Sequence, residues 1–280
     1  MKSYQVVGGG DTQIHVIEAG NSRGRPILFI HGISQCSLCW QRQFDSDLAQ
    51  DFRLVAMDMR GHGLSDKPHD AYGESKLWAD DVNAVIGTLK LDQPVLCGWS
   101  YGPLVMLDYV RHYGEDAIGG MNFIGGISSL GSEKALSVIT PDFLSLVPAF
   151  FSDKTEDSVR GLTSLLHMCF TQLEVAELYL MLGYNLSVPP YVRQALFSRS
   201  IDNDDVLATI GKPVLITHAI NDAIVKAAVV DQHRAALPHA QYELVANSAH
   251  GCFWDDASGF NRRLRIFTES LSKTVPATAK

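Results

Sequence analysis

No segment of this 280-residue sequence contains the roughly 20 consecutive apolar residues that a membrane-spanning helix needs. The first 16 residues also lack an apolar stretch long enough for a secretory signal peptide. We therefore expect a cytoplasmic protein without a membrane-embedded part.

An excess of positive charge is also missing. Lysine and arginine number 23 against 31 aspartates and glutamates, which gives a formal net charge of −8. An acidic surface repels phosphate backbones and anionic lipids, so we expect neither nucleic acid nor a membrane surface as a partner. Hydrophobic residues make up 46% of the chain, which is typical of a globular domain.

Cysteine is too scarce for a disulfide framework. There are five cysteines, an odd number, and only Cys36 and Cys39 form a C-x-x-C pair. Such a pair can indicate zinc or redox chemistry, but no second pair at ligand spacing follows it. We interpret the cysteines as structural thiols, and no metal or organic cofactor is implied.

The chain instead alternates short apolar runs with amphipathic helical patterns. The first two runs flank the Gly-Gly-Gly-Asp segment at 8–11 and predict a hairpin. Most later runs are continuously apolar, as in strands covered on both faces. The alternation predicts an α/β fold with a mostly parallel sheet and helices on both faces. The predicted strands are residues 4–7, 13–17, 26–30, 53–57, 94–97, 121–124, 213–216 and 242–245, and the clearest helices cover 78–89, 103–113, 225–237 and the region after 256.

Residues 132–205 interrupt this alternation. They contain helical patterns and no convincing strand, and Pro189-Pro190 is expected to separate two helices. We interpret this segment as a helical cap inserted into a core formed by residues 1–131 and 206–280.

The segment GWSYG at 98–102 matches G-x-S-x-G and stands between a predicted strand and a predicted helix. Glycines allow the backbone to turn sharply there, and the turn exposes Ser100 at the end of the sheet. The helix N-terminus also favours negative charge that develops near the hydroxyl. Ser100 is therefore the candidate nucleophile, although serine is also a common helix N-cap.

A serine hydroxyl needs a base to remove its proton. His250 follows the last predicted strand and is the candidate base, with His218 as its chief rival. Asp222 follows the strand at 213–216 and could hold the imidazole in one tautomer, although an aspartate after an asparagine can also be an ordinary turn residue. The order Ser100, Asp222, His250 is the one expected when a G-x-S-x-G turn supplies the serine.

A third segment, HGIS at 31–34, follows the predicted strand at 26–30. The glycine lets the backbone pass close to the serine. The backbone N–H groups of Ile33 and Tyr101 are the candidate oxyanion hole. We expect His31 to order this loop by hydrogen bonding rather than to transfer protons.

Together these segments resemble the α/β-hydrolase family over nearly the whole chain. The segment DMRGHGLS at 58–65 is a further match, and because that loop is mainly structural in the family, we assign His62 no catalytic role. The pattern is most similar to the branch of cofactor-free haloperoxidases and small esterases, whose helical cap is inserted after the sixth strand. Haloalkane dehalogenases and epoxide hydrolases look similar but use aspartate where this chain has Ser100. The family often has a second glycine after the turn, where this chain has Pro103. Proline fits the first turn of a helix, so this difference does not affect the predicted fold.

The resemblance implies a serine hydrolase that cleaves a carboxylic ester or lactone of an uncharged, apolar small molecule through an acyl-enzyme. The branch also includes esterases that open macrocyclic lactones such as macrolide antibiotics. The alternatives are a cofactor-free perhydrolase, a carbon–carbon bond hydrolase and a non-catalytic small-molecule receptor. The oligomeric state is left open.

An apolar substrate needs an apolar pocket, which large side chains beneath the cap could form. The same side chains could instead fill the core. The candidates are Trp40, Trp99, Tyr101, Phe143, Phe150, Phe151 and Met168.

Overall fold

A computed structural model describes residues 1–271 of the chain. The strands within this range are β1 (Lys2–Val7), β2 (Gln13–Gly20), β3 (Pro26–Ile30), β4 (Arg53–Met57), β5 (Val95–Trp99), β6 (Gly120–Ile124), β7 (Ser129–Leu130), β8 (Ile201–Asp202), β9 (Val214–Ala219) and β10 (Gln241–Val245).

One or two helices stand between most of the later strands of the sheet, and the longest run of consecutive helices lies in the predicted cap. The helices are α1 (Gln41–Phe44), α2 (Leu48–Asp51), α3 (Ser75–Thr88), α4 (Gly102–Tyr113), α5 (Glu133–Val138), α6 (Pro141–Phe150), α7 (Thr155–Cys169), α8 (Val175–Leu186), α9 (Pro190–Phe197), α10 (Asp204–Leu207), α11 (Val229–Ala236), α12 (Cys252–Asp255) and α13 (Ala257–Ser270).

Eight of the strands form one sheet in the order β1-β2-β4-β3-β5-β6-β9-β10. Strand β2 is antiparallel to both β1 and β4, and the neighbouring pairs from β4 to β10 are parallel. The predicted hairpin and the mostly parallel sheet are thus confirmed. Because these parallel strands end at the same edge, the loops that follow β3, β5 and β9 meet there.

The core covers both faces of the sheet. Every residue of β3, β5 and β6 is buried, and successive side chains of a strand point to opposite faces. Both faces must therefore be packed against other elements, as the continuous apolar runs predicted.

The structure differs from the sequence prediction in several short elements and in one helix boundary. The strands β7 and β8 were not predicted, and β8, which pairs with β7 over two residues, lies within 132–205. The helix predicted from residue 225 begins only at Val229, because Val225 forms an isolated antiparallel bridge with Ile139.

The cap segment, by which we mean residues 132–205, contains α5 to α9. The side chains of Ser132 and Thr140 cap α5 and α6 by accepting hydrogen bonds from backbone N–H groups of the first turn. As predicted, the Pro189-Pro190 pair lies at the boundary of two helices: Pro189 stands between α8 and α9, and Pro190 is the first residue of α9. The division into a core and a cap domain stays a prediction.

The cysteines of the described chain are all free and buried. Burial raises the pKa of Cys36 to about 12 and that of Cys39 well above its ordinary value. Within residues 1–271, no group of three or more His, Cys, Asp or Glu side chains is arranged to hold a metal ion. Over the same range, the helices lack the combination of length and hydropathy needed to cross a membrane.

Candidate active site

Ser100 lies at the sharp turn between β5 and α4. Its φ is 58°, a left-handed conformation that non-glycine residues rarely adopt. The turn needs glycine beside it, because a Cβ on Gly102 would lie 2.6 Å from the carbonyl oxygen of Ile30. The N–H of Ser100 donates a 2.9 Å hydrogen bond to the carbonyl of Ile124 in β6. The serine is therefore held in a strained conformation at the edge where the parallel strands end.

Asp222 and His250 are in direct contact. The Nδ1 atom of His250 lies 2.7 Å from Oδ2 of Asp222, and both side chains are almost completely buried. The other carboxylate oxygen accepts 2.8 and 2.9 Å hydrogen bonds from the N–H groups of Ile224 and Val225. An ionised carboxylate only accepts hydrogen bonds, so Nδ1 carries the proton and Nε2 is left with a lone pair.

The Nε2 atom of His250 is buried and has no hydrogen-bond partner among the described residues. His250 and Ser100 line the same small cavity of about 20 Å³. Hydrogen bonds between a base and its nucleophile are often long in ligand-free structures and tighten when substrate binds. The arrangement brings together the three side chains that the sequence predicted.

The environment of Asp222 favours its charged form. Burial alone would raise the pKa of this carboxyl, but its attraction to His250, the hydrogen bond to that ring, the nearby His218 and the N–H of Val225 together hold the pKa below its ordinary value. An ionised Asp222 at this position could stabilise an imidazolium on His250.

His218 supports the acid and is not placed to act as the base. Its Nε2 atom donates a 3.0 Å hydrogen bond to the carbonyl of Val225, whose own N–H donates to Asp222. Burial lowers the pKa of His218, so the ring is neutral near pH 7. Between the two histidines considered from the sequence, the geometry favours His250 as the base.

The loop that carries His250 is hydrogen-bonded on both sides. The indole N–H of Trp99 donates to the carbonyl of His250 at 3.1 Å, and the N–H of Gly251 donates to the carbonyl of Cys169 at 2.7 Å. The second bond connects this loop to the last residue of α7 in the cap segment.

Asp255 makes a further connection between the same two segments. Its carboxylate accepts hydrogen bonds from the N–H of Ala249 at 2.8 Å and from the N–H of Thr171 at 3.0 Å. Asp255 therefore bridges the residue before His250 and the residues that follow α7. Nothing in the sequence pattern indicated this role.

The loop that carries Asp222 is also bonded to the cap segment. The N–H of Thr140 donates to the carbonyl of Ile224 at 3.0 Å, and the N–H of Lys226 donates to the carbonyl of Val138 at 2.7 Å. The hydroxyl of Thr140 donates to the carbonyl of Ala223 at 2.6 Å. The loops that carry the candidate acid and the candidate base are thus each held by a different part of the cap segment.

The two predicted oxyanion donors lie beside the serine. Among the described residues, the N–H groups of Ile33 and Tyr101 have no hydrogen-bond acceptor, and both residues line a cavity together with Ser100. A Cβ on Gly32 would lie 3.0 Å from Cβ of Ser100, so the absence of a side chain allows this close approach. Free N–H groups at such a position can stabilise an oxyanion.

His31 orders the oxyanion loop, as the sequence predicted. Its Nδ1 atom donates to the carbonyl of Gly32 at 2.8 Å, and its Nε2 atom accepts from the N–H of Met59 at 3.0 Å. Burial lowers the pKa of His31, in keeping with a neutral ring that both donates and accepts. The buried His62 also donates to a backbone carbonyl, that of Arg60, at 2.9 Å.

A larger cavity of about 140 Å³ extends from Ser100 between the sheet edge and the cap segment. Its lining contains no charged side chain. The lining residues are Ile33, Ser100, Tyr101, Ile127, Leu130, Gly131, Ala135, Leu136, Ile139, Phe143, Leu144, Phe197, Ile224 and Val225.

Only some of the predicted pocket residues line the two cavities, and which of them contact a substrate stays a prediction. Phe143 and Tyr101 line the larger cavity, and Trp99 lines the small one. Trp40 does not line either, because it is fully buried in the core against Phe29 and Phe253.

The three remaining predicted pocket residues also lie outside both linings. Phe150 is buried against Phe143, and Phe151 packs edge-to-face on Phe197, so these aromatic rings support the wall from behind. Met168 packs against the hydrophobic core. The wall itself is mostly aliphatic, and aliphatic residues carry no distinctive sequence signal.

Comparison with known proteins agrees with this geometry. A profile of the family described as the alpha/beta hydrolase fold matches residues 25–257. The chain belongs to the α/β-hydrolase family. The family assignment and the α/β fold predicted from the sequence are thereby confirmed.

Individual members of the α/β-hydrolase family are similar over almost the whole chain. The AB hydrolase superfamily protein YisY of Bacillus subtilis is 26% identical over 251 residues, which cover 88% of this chain and 92% of that protein. The structure of the esterase RhEst1 from Rhodococcus sp. ECU1013 has a TM-score of 0.92 and 34% identity, and the match covers 97% of this chain and 100% of that one. A putative aryl esterase from Burkholderia cenocepacia has a TM-score of 0.88 and 28% identity, with coverage of 96% and 99%. These relatives support a hydrolase.

Proposed function

We propose that this protein is a serine-dependent carboxylic ester hydrolase that acts on an uncharged, apolar ester or lactone. One observation carries the proposal: Ser100, in its strained turn, shares a cavity with the unpartnered Nε2 atom of His250, whose Nδ1 atom is 2.7 Å from Asp222. This arrangement supplies a nucleophile, a base and an acid that orients the base.

The proposed reaction has two steps. His250 accepts the proton of Ser100 while the serine oxygen attacks the carbonyl carbon, and the N–H groups of Ile33 and Tyr101 stabilise the oxyanion. The imidazolium then gives its proton to the leaving alcohol, and an acyl-enzyme remains. In the second step, His250 activates a water that releases the acid and regenerates the serine.

The uncharged lining of the larger cavity favours an uncharged substrate. Its lining has no charged side chain, so an ionised substrate group would lose its hydration without gaining a partner. The names of the similar Rhodococcus and Burkholderia proteins, an esterase and a putative aryl esterase, also favour ester hydrolysis.

The size of the cavity favours small esters over macrolides. Drug-sized ligands occupy pockets of roughly 300–1,000 Å³. The larger cavity beside Ser100 measures about 140 Å³. We therefore propose an ester or lactone of modest size, and a macrocyclic lactone would require the cap segment to move.

Labelling and turnover of matched serine variants test the proposal. The wild-type protein should hydrolyse a methyl ester with a burst of methanol and should react covalently with an organophosphate. Ser100→Ala should lose turnover and labelling, whereas Ser22→Ala, which changes an exposed serine outside the site, should retain both. Labelling of Ser100→Ala at another residue would refute the assignment of Ser100 as the nucleophile.

Product analysis separates the alternative functions. Acid and alcohol as products support an esterase, whereas peracid formation or cleavage of a carbon–carbon bond would indicate a perhydrolase or a carbon–carbon bond hydrolase. Tight binding of an ester without any turnover by the wild-type protein would instead indicate a receptor.

A further inference from the structure

We infer that the two cavities at Ser100 divide an ester substrate between them, with a medium-sized acyl group in the larger one and a small alcohol in the smaller one. We call the cavity of about 140 Å³ the acyl cavity and the cavity of about 20 Å³ beside His250 the alcohol cavity. This inference rests on the proposed function.

The position of the base decides which cavity receives the alcohol. When the tetrahedral intermediate collapses, the bond between the carbonyl carbon and the alkoxy oxygen breaks, and that oxygen takes the proton held on Nε2 of His250. The alkoxy oxygen must therefore lie within hydrogen-bond reach of Nε2. His250 lines only the small cavity, so the alcohol lies there.

The acyl group then extends to the other side of the serine. Of the two candidate oxyanion donors, Tyr101 lines only the larger cavity, whereas Ile33 lines both cavities, as Ser100 does. With the carbonyl oxygen held by these N–H groups and the alkoxy oxygen directed to His250, the remaining substituent of the carbonyl carbon points into the acyl cavity.

The volumes of the two cavities set the sizes of the two groups. One water-sized group occupies roughly 10–15 Å³ on a comparable measure, so about 20 Å³ admits a methoxy or ethoxy group. A cavity of roughly 150 Å³ with apolar walls accepts benzene. The acyl cavity, at about 140 Å³, therefore suits an acyl group of about six carbons beyond the carbonyl.

The walls of the alcohol cavity cannot easily move apart. Leu165 and Cys169 of α7 form part of its wall and are buried. The hydrogen bond from Gly251 to Cys169 fixes α7 to the loop that carries the base. Widening this cavity by moving α7 away from the loop would break that bond and displace His250, whereas removing a side chain from its wall would not.

The outer end of the acyl cavity reaches the protein surface. Leu136 and Leu144 line it there and are 52% and 39% exposed. An acyl chain somewhat longer than the cavity can extend past them towards solvent. The two sides of the serine thus differ in volume and in freedom to expand.

An isomeric pair of esters tests this asymmetry. Methyl heptanoate and hexyl acetate have the same composition and differ only in which side of the ester carries the six-carbon chain. We expect kcat/KM of the wild-type protein to be at least about tenfold higher for methyl heptanoate, because a misplaced chain must enter a cavity several methylenes too small. Equal values or a preference for hexyl acetate would overturn the inference.

Two substitutions change the cavities separately. Leu165→Ala enlarges the alcohol cavity and should shift the ratio of kcat/KM towards hexyl acetate. Ala135→Phe fills the acyl cavity and should lower kcat/KM for methyl heptanoate more than for methyl acetate, and Leu130→Phe is the second variant if Ala135→Phe does not fold. Unchanged ratios in folded variants at both sites would contradict the assignment.

Failure of the inference can be told apart from failure of the proposed function. Organophosphate labelling at Ser100 with a preference for hexyl acetate would overturn only the division of the substrate. Absence of both ester hydrolysis and labelling at Ser100 would overturn the proposed function, and the inference with it.

Discussion

The carbonyl oxygen of Cys169 accepts a 2.7 Å hydrogen bond from the N–H of Gly251. This bond joins the last residue of α7 to the residue immediately after His250. A Cβ on Gly251 would lie 2.6 Å from Cδ1 of Phe170, so only glycine allows the two segments to come this close. The position of the candidate base therefore depends on the cap segment as well as on the sheet.

Substitution of Asp255 tests whether the position of His250 depends on the cap segment. Asp255→Ala removes the acceptor for the N–H groups of Ala249 and Thr171 and should allow the imidazole of His250 to rotate or shift. We expect kcat for methyl heptanoate to fall about tenfold while KM changes less than about twofold, because the cavity walls remain but the base is misplaced. Steady-state kinetics measures both constants.

Two controls accompany this variant. Asp255→Asn keeps one oxygen acceptor and should recover most of kcat, whereas Asp153→Ala removes an exposed aspartate and should change neither constant. A normal kcat in folded Asp255→Ala would show that the hydrogen bonds of Gly251 and Trp99 suffice to hold the base.

Asp222→Asn separates the orienting role of the acid from its structural role. The amide oxygen can still accept from Ile224 and Val225, so we expect a melting temperature near that of the wild type. The amide N–H₂ would favour the wrong tautomer of His250, and kcat should fall by up to about 10⁴-fold. Kinetics and thermal unfolding measured on the same preparation test both parts, and a near-normal rate would mean that another acid serves.

The sequence was sufficient to predict the sheet because the central strands are covered on both faces. The run at 26–30 coincides with β3 and the run at 53–57 with β4, since buried parallel strands read as continuous apolar segments. The strands β7 and β8 have only two residues each and show no periodicity. Their pairing depends on contacts that a local pattern cannot represent.

The candidate site was predictable where its chemistry needs particular side chains. Ser100, Asp222 and His250 follow from a motif, an order and the ends of predicted strands. The wall of the acyl cavity was not predictable, because Leu130 and Ile139 resemble any core residue until the fold is known. Hydrogen bonds to backbone carbonyls, such as the bond from Gly251 to Cys169, have no sequence signature.

Gly32→Ala tests the close approach of the oxyanion loop to the nucleophile. The new Cβ would lie 3.0 Å from Cβ of Ser100, so the loop or the serine must move by a few tenths of an ångström. We expect kcat to fall about tenfold with little change in the melting temperature, because small misplacements of reacting groups are costly. Gly87→Ala, where a Cβ meets nothing within 4 Å, is the matched control. Wild-type activity of Gly32→Ala would show that the loop adapts freely.

The buried ring of His233 should make the free energy of unfolding depend on pH. Its ring is buried against Phe123, and neither ring nitrogen has a hydrogen-bond partner among the described residues. Burial, with smaller contributions from His218 and Lys134, lowers the pKa of His233 to about 4. Because a histidine in the unfolded chain titrates near 6.5, the unfolded state binds this proton first as the pH falls. The contribution of His233 therefore lowers the free energy of unfolding between about pH 6.5 and pH 4, by about 2 kcal/mol at pH 5.

A matched pair of leucine variants isolates this contribution. Between pH 7.5 and pH 5, the free energy of unfolding of His233→Leu should fall by about 2 kcal/mol less than that of the wild type. His167→Leu changes a histidine at an exposed position and should show the same pH dependence as the wild type. The other buried histidines remain in both variants, so any difference in slope belongs to position 233. Denaturant unfolding at several pH values gives the free energies. Parallel curves for His233→Leu and the wild type would mean that the buried ring keeps an ordinary pKa, which in turn would require water to reach its nitrogens.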